Sequence, residues 1–376
     1  MQTEHSLIFE DSRKMKSIKD SSIDLVVTSP PYPMIEMWDR QFAAMNPDIG
    51  LHLNKGECGL AFEAMHEVLD QTWQELYRVM KNGAFACINI GDATRTIDGR
   101  FQLFANHSRV QSKFSELGFD VLPLILWRKQ TNAPNKFMGS GMLPAGAYVT
   151  LEHEYILIFR KGPKREFKTV EEKHKRLLSS YFWEERNAWF SDLWDFKGAR
   201  QGTGSLEPRE RSGAFPLELP LRLVNMYSLL VDTVLDPFAG TGTTTLAALA
   251  AGRNSLGIEI DPAFAGPVKD RIMHSIPQVN MYNLERIKKQ IDFVHHYSEE
   301  RGELKHTNNY FGFPVMTGQE KELKLAFVQS VKEVKENFFR ATYFSDGYIQ
   351  NIDPEQMDLG YLTYDQGVQS RLIFYD

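Results

Sequence analysis

The order of two short loops constrains this chain more than any other feature. Thr28-Ser29-Pro30-Pro31-Tyr32 stands near the start, and Asp236-Pro237-Phe238-Ala239-Gly240-Thr241-Gly242-Thr243-Thr244 follows far downstream. Each closes an apolar run, Ile23 to Val27 and Val231 to Leu235, of the kind a buried parallel strand needs. Both loops therefore belong at the carboxyl edge of one open α/β sheet, where ligands of such folds bind. The first loop suits a planar polar group, the second a cofactor.

Strand and helix signals alternate along most of the chain, which predicts a mainly parallel sheet. Strands are expected at Ser6–Phe9, Ile23–Val27, Ala84–Ile90, Phe119–Trp127, Tyr148–Phe159, Val231–Leu235 and Ser255–Ile260. Phe62, Met65, Leu69, Trp73, Leu76 and Met80 recur every three or four residues, so one amphipathic helix should run from Gly59 to Met80 and stop at Asn82-Gly83. Further helices are expected at Ser108–Leu117, Leu217–Leu230, Thr243–Ala251, Asn283–Glu300 and Glu320–Phe339. Between Lys164 and Gly213 no period is legible, and charged and aromatic residues including Tyr181, Trp183, Trp189 and Trp194 suggest an inserted module. The domain reading is a catalytic half at 1–163, an insert at 164–213, a cofactor half at 214–270 and a largely helical extension at 271–376.

In the downstream loop, two glycines one residue apart let backbone N–H groups and a helix N-terminus approach a ligand closely. There is no Gly-Lys-Ser/Thr ending, and Thr245 stands where a dinucleotide fingerprint has its third glycine. Glu259, closing the next strand, is placed to accept hydrogen bonds from ribose hydroxyls. An adenosine-containing cofactor fits without a demand for phosphate; a plain strand-to-helix turn and a solvated carboxylate remain the bland alternatives. In the upstream turn, proline removes two N–H donors, so the carbonyls of Ser29 and Pro30 can face outward as acceptors. Held by the Ser29 hydroxyl and a proline carbonyl, an exocyclic amine could become tetrahedral and attack, with Tyr32 offering a face for its ring. A serine-capped, proline-stiffened strand end would look the same.

Composition narrows the class but not the chemistry. A 42% hydrophobic, 24% charged chain with two cysteines, Cys58 and Cys87, in no metal-ligand spacing suits a reducing compartment without a disulfide framework. No apolar run or leader suggests a membrane span or secretion, so a cytoplasmic protein without a membrane partner is expected. Net charge is −6, yet Arg160 to Gly213 holds 13 Lys and Arg against 9 Asp and Glu, a net +4. That basic middle fits a DNA-facing surface and a solvated insert equally well. Lys164, Arg165, Lys168, Lys173, Lys175, Arg176, Arg200, Arg209 and Arg211 are the candidate phosphate contacts, with solvation the default reading of each.

With these residues in place, the chain resembles the amino-group DNA methyltransferases of restriction and modification systems. In that family the tetrapeptide Asp/Asn/Ser-Pro-Pro-Tyr/Phe matches Ser29, Pro30, Pro31 and Tyr32, and Phe-x-Gly-x-Gly matches Phe238, Gly240 and Gly242. The resemblance implies S-adenosyl-L-methionine as cofactor, held by Asp11, Phe215, Pro216, Leu219, Asp236, Pro237, Phe238, Gly240, Gly242, Thr243 and Glu259, and no metal. His153-Glu154-Tyr155, opening a strand that closes on Arg160-Lys161-Gly162, is a further family feature. Catalytic turn first and cofactor loop last is the arrangement of the β group. It implies a circularly permuted, seven-stranded-type methyltransferase sheet, a target recognition insert within 164–213, with the Thr131–Gly146 loop a second candidate for that role, and a C-terminal helical extension.

The implied partners are double-stranded DNA with a short specific site and a restriction endonuclease. Serine in the tetrapeptide is more typical of N4-cytosine enzymes, aspartate of N6-adenine ones, so cytosine N4 is favoured. A C5-cytosine enzyme is disfavoured because neither cysteine follows proline. A protein-glutamine or RNA amine substrate, a non-catalytic DNA-binding subunit and a nicotinamide-dependent dehydrogenase stay as alternatives, each disfavoured by one motif or its order. Recognition sequence and oligomeric state are not legible.

Overall fold

In a computed structural model, residues 1–129, 138–198 and 215–345 are described. Arg200, Arg209, Arg211 and the part of the Thr131–Gly146 loop before residue 138 lie outside them.

Ten strands build the main sheet. They are β1 (Gln2–Phe9), β2 (Ile23–Thr28), β3 (Met80–Ile90), β4 (Phe119–Arg128), β5 (His153–Lys161), β6 (Leu193–Asp195), β7 (Thr233–Asp236), β8 (Asn254–Glu259), β9 (Val328–Lys335) and β10 (Phe338–Tyr343). Their order is β6-β4-β5-β3-β2-β7-β8-β1-β10-β9. The seven strands from β4 to β1 form the expected core, in which β5 alone runs against its neighbours. β6 adds a parallel strand outside β4, and β10 and β9 add an antiparallel pair outside β1.

The central strands are apolar on both faces because helices cover both. All six residues of β2 are buried, as a strand in the middle of such a sheet requires. On one side lies α3 (Cys58–Val79), whose Met65, Leu69, Trp73 and Leu76 join the core with α4 (Asn106–Glu116). On the other lie α7 (Glu218–Tyr227) and α8 (Thr243–Ala251), the latter buried along its whole length. Short alanines let α8 pack closely against both the sheet and α10 (Ile276–Arg301), which follows α9 (Ala265–Met273). Among the described residues no helix is long and apolar enough to cross a membrane.

Three expectations change. Residues 320–339 are not a helix: β9 and the start of β10 occupy its second half, turning at Asn337, whose φ is +57°. Val328, Val331 and Val334 recur every third residue like a helix face, but a register shift between Val328 and Ser330 puts Val328 and Val331 on the same buried side of a strand. Up to residue 345 the C-terminal extension is therefore part helix and part sheet. The long helix α3 stops at Val79, and Gly83 lies inside β3 with φ +84°, where any Cβ would come within 2.6 Å of the Arg165 backbone nitrogen.

The insert is the third. It has regular structure in its first part: α5 (Val170–Leu178), with a Thr169/Glu172 capping box, α6 (Trp183–Trp189), and β6. It is fastened to the C-terminal extension rather than free-standing. Glu185 accepts from Arg286 at 2.5 and 2.9 Å, Trp183 stacks on Phe293, and the Trp183 N–H donates to Glu320.

Candidate active site

β2 and β7 are parallel neighbours in the centre of the sheet, so the loops that follow them leave side by side. The Thr28 hydroxyl donates to Asp236 Oδ1 at 2.6 Å and the Phe238 N–H to the same oxygen at 3.1 Å, tying the loops together. Burial pushes the Asp236 carboxyl up to about 6, against the pull of those donors; the nearby Glu259 adds to the rise. Two elements of the chain far apart in sequence thus share one buried carboxyl group.

A cavity of about 1120 Å³ opens over this junction. Of the residues picked from the sequence, Asp11, Ser29, Pro30, Pro31, Tyr32, Phe215, Asp236, Pro237, Phe238, Gly240, Thr243 and Glu259 line it. Pro216, Leu219 and Gly242 do not. Leu219 is fully buried in the core under α7, Pro216 offers its carbonyl to the Leu219 N–H, and Gly242 caps α8. At Gly242 φ is +76° and a Cβ would sit 2.9 Å from Val268 Cγ1, so the position is fixed by backbone shape and by packing.

Glu259 accepts from the Gly240 N–H at 2.9 Å and from the Asp261 N–H at 3.0 Å, and burial raises its pKa against these bonds. Asp11 closes β1 on the same edge and caps the turn of Ser12–Lys14. Burial raises its carboxyl, but the hydrogen bonds and charge of Arg13 at 2.6 to 2.9 Å prevail and hold it below the usual range. Trp73 meets the Phe238 ring edge-on at 5.9 Å and fixes the start of the downstream loop.

The catalytic-turn candidates stand in a polar cluster. Tyr32 Oη lies 3.0 Å from Ser29 Oγ and donates to Glu154 Oε2 at 3.0 Å. Asn89 Nδ2 donates to Tyr32 Oη at 2.9 Å and to Glu154 Oε2 at 2.7 Å, and Lys129 Nζ pairs with Glu154 Oε1. Burial, with the Glu154 charge, pushes the Tyr32 phenol well above its ordinary value, so it keeps its proton. Gly91 makes room for this arrangement: a Cβ there would lie 3.0 Å from the Tyr32 ring and 3.3 Å from the Glu154 side chain.

Sequence reasoning missed two parts of the site. One cavity wall is the segment after the turn, where Ile35, Met37, Trp38, Arg40 and Gln41 stand on a 3-10 turn and the start of α1 (Asp39–Met45). No motif marks it, although an apolar, aromatic stretch directly after Pro-Pro-Tyr was a usable signal. The other is the contact of Glu154 with Tyr32 across 122 positions. Of the candidate phosphate contacts, Arg165 and Lys175 grip the buried Asp232 at 2.5 and 2.9 Å, and Arg176 lies over the Phe167 ring. Lys164 and Lys173 are exposed.

Comparison with known proteins agrees with this geometry. The sequence profile of the DNA methylase family N6_N4_Mtase matches residues 23–270, well over half of the chain. The type II methyltransferase M.MthZI of Methanothermobacter thermautotrophicus is 48% identical over 358 residues, covering 95% of this chain and 98% of that protein. M.MjaI of Methanocaldococcus jannaschii, also a type II methyltransferase, is 47% identical over 299 residues, 76% and 97% of the two chains. The crystal structure of a DNA modification methylase from Thermus thermophilus, TTHA0409, complexed with S-adenosyl-L-methionine, superposes with a TM-score of 0.57 at 33% identity over 73% of this chain and 95% of that one. A profile match across both strand-end loops, in the order catalytic turn then glycine loop, means that this chain belongs to the N6/N4 DNA methylase family, in the β group of the restriction-modification amino-methyltransferases.

Proposed function

We propose that this chain transfers a methyl group from S-adenosyl-L-methionine to the N4 amine of a cytosine flipped out of double-stranded DNA at a short specific site, and so protects that site from a partner restriction endonuclease. The observation that carries the reading is the Thr28–Asp236 hydrogen bond, which joins an amine-suited turn and a glycine loop over one cavity. That cavity exceeds the 300–1,000 Å³ of typical small-molecule sites, as a cofactor plus a base would need.

The cofactor fits the residues present. Gly240 has φ +48°, and where a Cβ would project the nearest atom is the Phe238 carbonyl oxygen at 3.9 Å, so a ligand can lie close to the backbone there. Glu259 keeps lone pairs for hydroxyl groups beside its two backbone donors, and Asp236 offers a buried acceptor to a cationic group. When bound, the cofactor supplies a methyl group activated by a sulfonium charge. The protein's own part is placement: Ser29 and the Pro30 carbonyl accept from the two amine hydrogens, Tyr32 flanks the base, and Pro31 stiffens the turn. The segment 164–213 reads the site, and base extrusion brings the amine to the turn.

Serine rather than aspartate at position 29 favours cytosine N4 over adenine N6. Incubation with labelled S-adenosylmethionine and DNA, followed by digestion to nucleosides, tests this: labelled N4-methylcytosine is the expected product. Labelled N6-methyladenine would overturn the choice of base, and unlabelled DNA would overturn DNA methyl transfer itself.

A further inference from the structure

The cluster behind Ser29 has a direction. Lys129 and the Asn89 amide nitrogen can only donate, and they occupy Oε1 and Oε2 of Glu154, so this carboxyl group is an acceptor on both oxygens. Glu154 is only 8% exposed and can shed neither partner to water without leaving a buried group unpaired. The Tyr32 hydroxyl has one hydrogen and two lone pairs. Its hydrogen goes to Glu154 Oε2 at 3.0 Å, and one lone pair accepts from Asn89 Nδ2 at 2.9 Å. The rest of the oxygen's acceptor side, which the Gly91 backbone N–H also addresses, faces Ser29 Oγ at 3.0 Å; with the one Tyr32 hydrogen spent on Glu154, the serine is the donor in that contact.

Spending the Ser29 hydrogen inward leaves its oxygen with acceptor capacity only, one part of it addressed by Asn89 Nδ2 at a long 3.5 Å and the rest available to the cavity that Ser29 lines. An amino group brings hydrogens and, in a ring-conjugated amine, no free lone pair, so it needs an acceptor there. Were Tyr32 to donate to Ser29 instead, the serine hydrogen could turn into the cavity and oppose the amine hydrogens. We infer that Glu154 is a positioning residue that, acting through Tyr32, commits the Ser29 hydroxyl as an acceptor for the target amine. Asn89 supports the same direction by donating to both Tyr32 and Glu154. The inference rests on the assignment of Ser29 to the amine-binding turn and adds what sets the polarity of that turn.

The test is a double-substitution cycle on the full chain. Methyl transfer to DNA, the dissociation constant for S-adenosylmethionine and the thermal midpoint are measured for Ser29→Ala, Tyr32→Phe, Glu154→Gln and Tyr32→Phe/Glu154→Gln. Ser29→Ala comes first: if it transfers methyl groups at the unaltered rate, the assignment of the turn fails, and the inference with it. If it does not, Glu154→Gln should lower kcat about tenfold to a hundredfold, the worth of one hydrogen bond to a charged group, with cofactor affinity within about twofold. In the Tyr32→Phe background the same change should cost less than about twofold, because there is no hydroxyl left to orient. An equal loss in both backgrounds would make Glu154 merely structural and overturn the inference, as would an unaltered kcat in Glu154→Gln. Should Glu154→Gln not fold, Glu154→Asp keeps the charge opposite Lys129 while withdrawing from Tyr32, and the same dependence on the Tyr32 hydroxyl is expected of it.

Discussion

Asp236 touches both halves of the site, and its buried carboxyl ties folding, ligand binding and pH together. Its folded pKa of about 6 stands above the usual 3.8, so between those values the folded state binds more protons than the unfolded one, and stability falls as pH rises through that window. The cost, on the order of 2 to 3 kcal/mol, is then carried at every higher pH. Asp236→Asn keeps an oxygen for Thr28 and the Phe238 N–H but never ionises. Thermal melts should show it more stable than the parent at pH 8, with the gain gone below about pH 4; a gain independent of pH would refute the cause. The same group should weaken cofactor binding about tenfold per pH unit below 6, as the carboxylate is lost, which titration calorimetry can follow.

Ser29→Ala should cut methyl transfer by at least about a hundredfold while leaving the cofactor dissociation constant within about threefold, because the proposed role of Ser29 is to meet the amine rather than the cofactor. Equal loss of both would sink that division of roles. At this scale the sequence was a good guide wherever a residue type is fixed by local chemistry. Ser29, Asp236, Gly240 and Glu259 all declared themselves through the strand that precedes them, and all four line the cavity. Glu154 did not: it was visible as part of a family phrase, but the hydroxyl it holds lies on the loop after β2, 122 positions away.

Elements were legible where one period governs them. α8 spans Thr243 to Ala251 as its pattern requires, with Gly242 before it and Gly252 after it, both in the left-handed region. Gly242→Ala should destabilise the fold by about 1–3 kcal/mol, through a positive φ and the Val268 contact together, and denaturant midpoints will measure it. An effect under about half a kilocalorie would mean that the loop relaxes freely. Gly240→Asp should act differently, abolishing cofactor binding at a cost in stability of about 1–3 kcal/mol from its positive φ alone, since a Cβ there meets nothing nearer than the Phe238 carbonyl oxygen at 3.9 Å. Where a bulge breaks the period, as in β9, the sequence misleads, because two residues three apart then share one face of a strand just as they would on a helix. The insert defeated periodicity for another reason: its short helices answer to partners on α10 and near Glu320 rather than to a face of their own.

On the scale of the whole molecule, the shared sheet edge of β2 and β7 was legible in the two loops, while the flanks of the sheet were not. β10 and β9 cover the flank of β1, and the Tyr343 hydroxyl reaches the Leu249 carbonyl of α8 at 2.9 Å while contacting Thr3. Asn283 and Asn280 fasten α10 to the backbone of Ala326 and Val328. Removing everything from Gly302 onward should therefore expose the apolar surface that Phe327 and Phe339 now help to bury and bare the edge of β1. The shortened chain is expected to aggregate or to lose at least about 5 °C in thermal midpoint; a soluble monomer with an unchanged midpoint would show the extension to be an independent attachment. The extension read from sequence as largely helical thus contributes, up to residue 345, both a long helix and two strands of the main sheet.

The flanking of β1 also bears on how the chain is born. His5 pairs with Ser255 on one side and Phe339 on the other, so β1 has no neighbour until a strand 250 positions downstream has been made. At ordinary elongation rates that wait is on the order of tens of seconds. β2 waits nearly as long for β7, because Asp236 must emerge before Thr28 can bond to it. A nascent chain can thus pair β2 with β3 under α3 early but cannot bring its two loops together until β7 has been made, and β1 is a natural client for a chaperone until β8 follows.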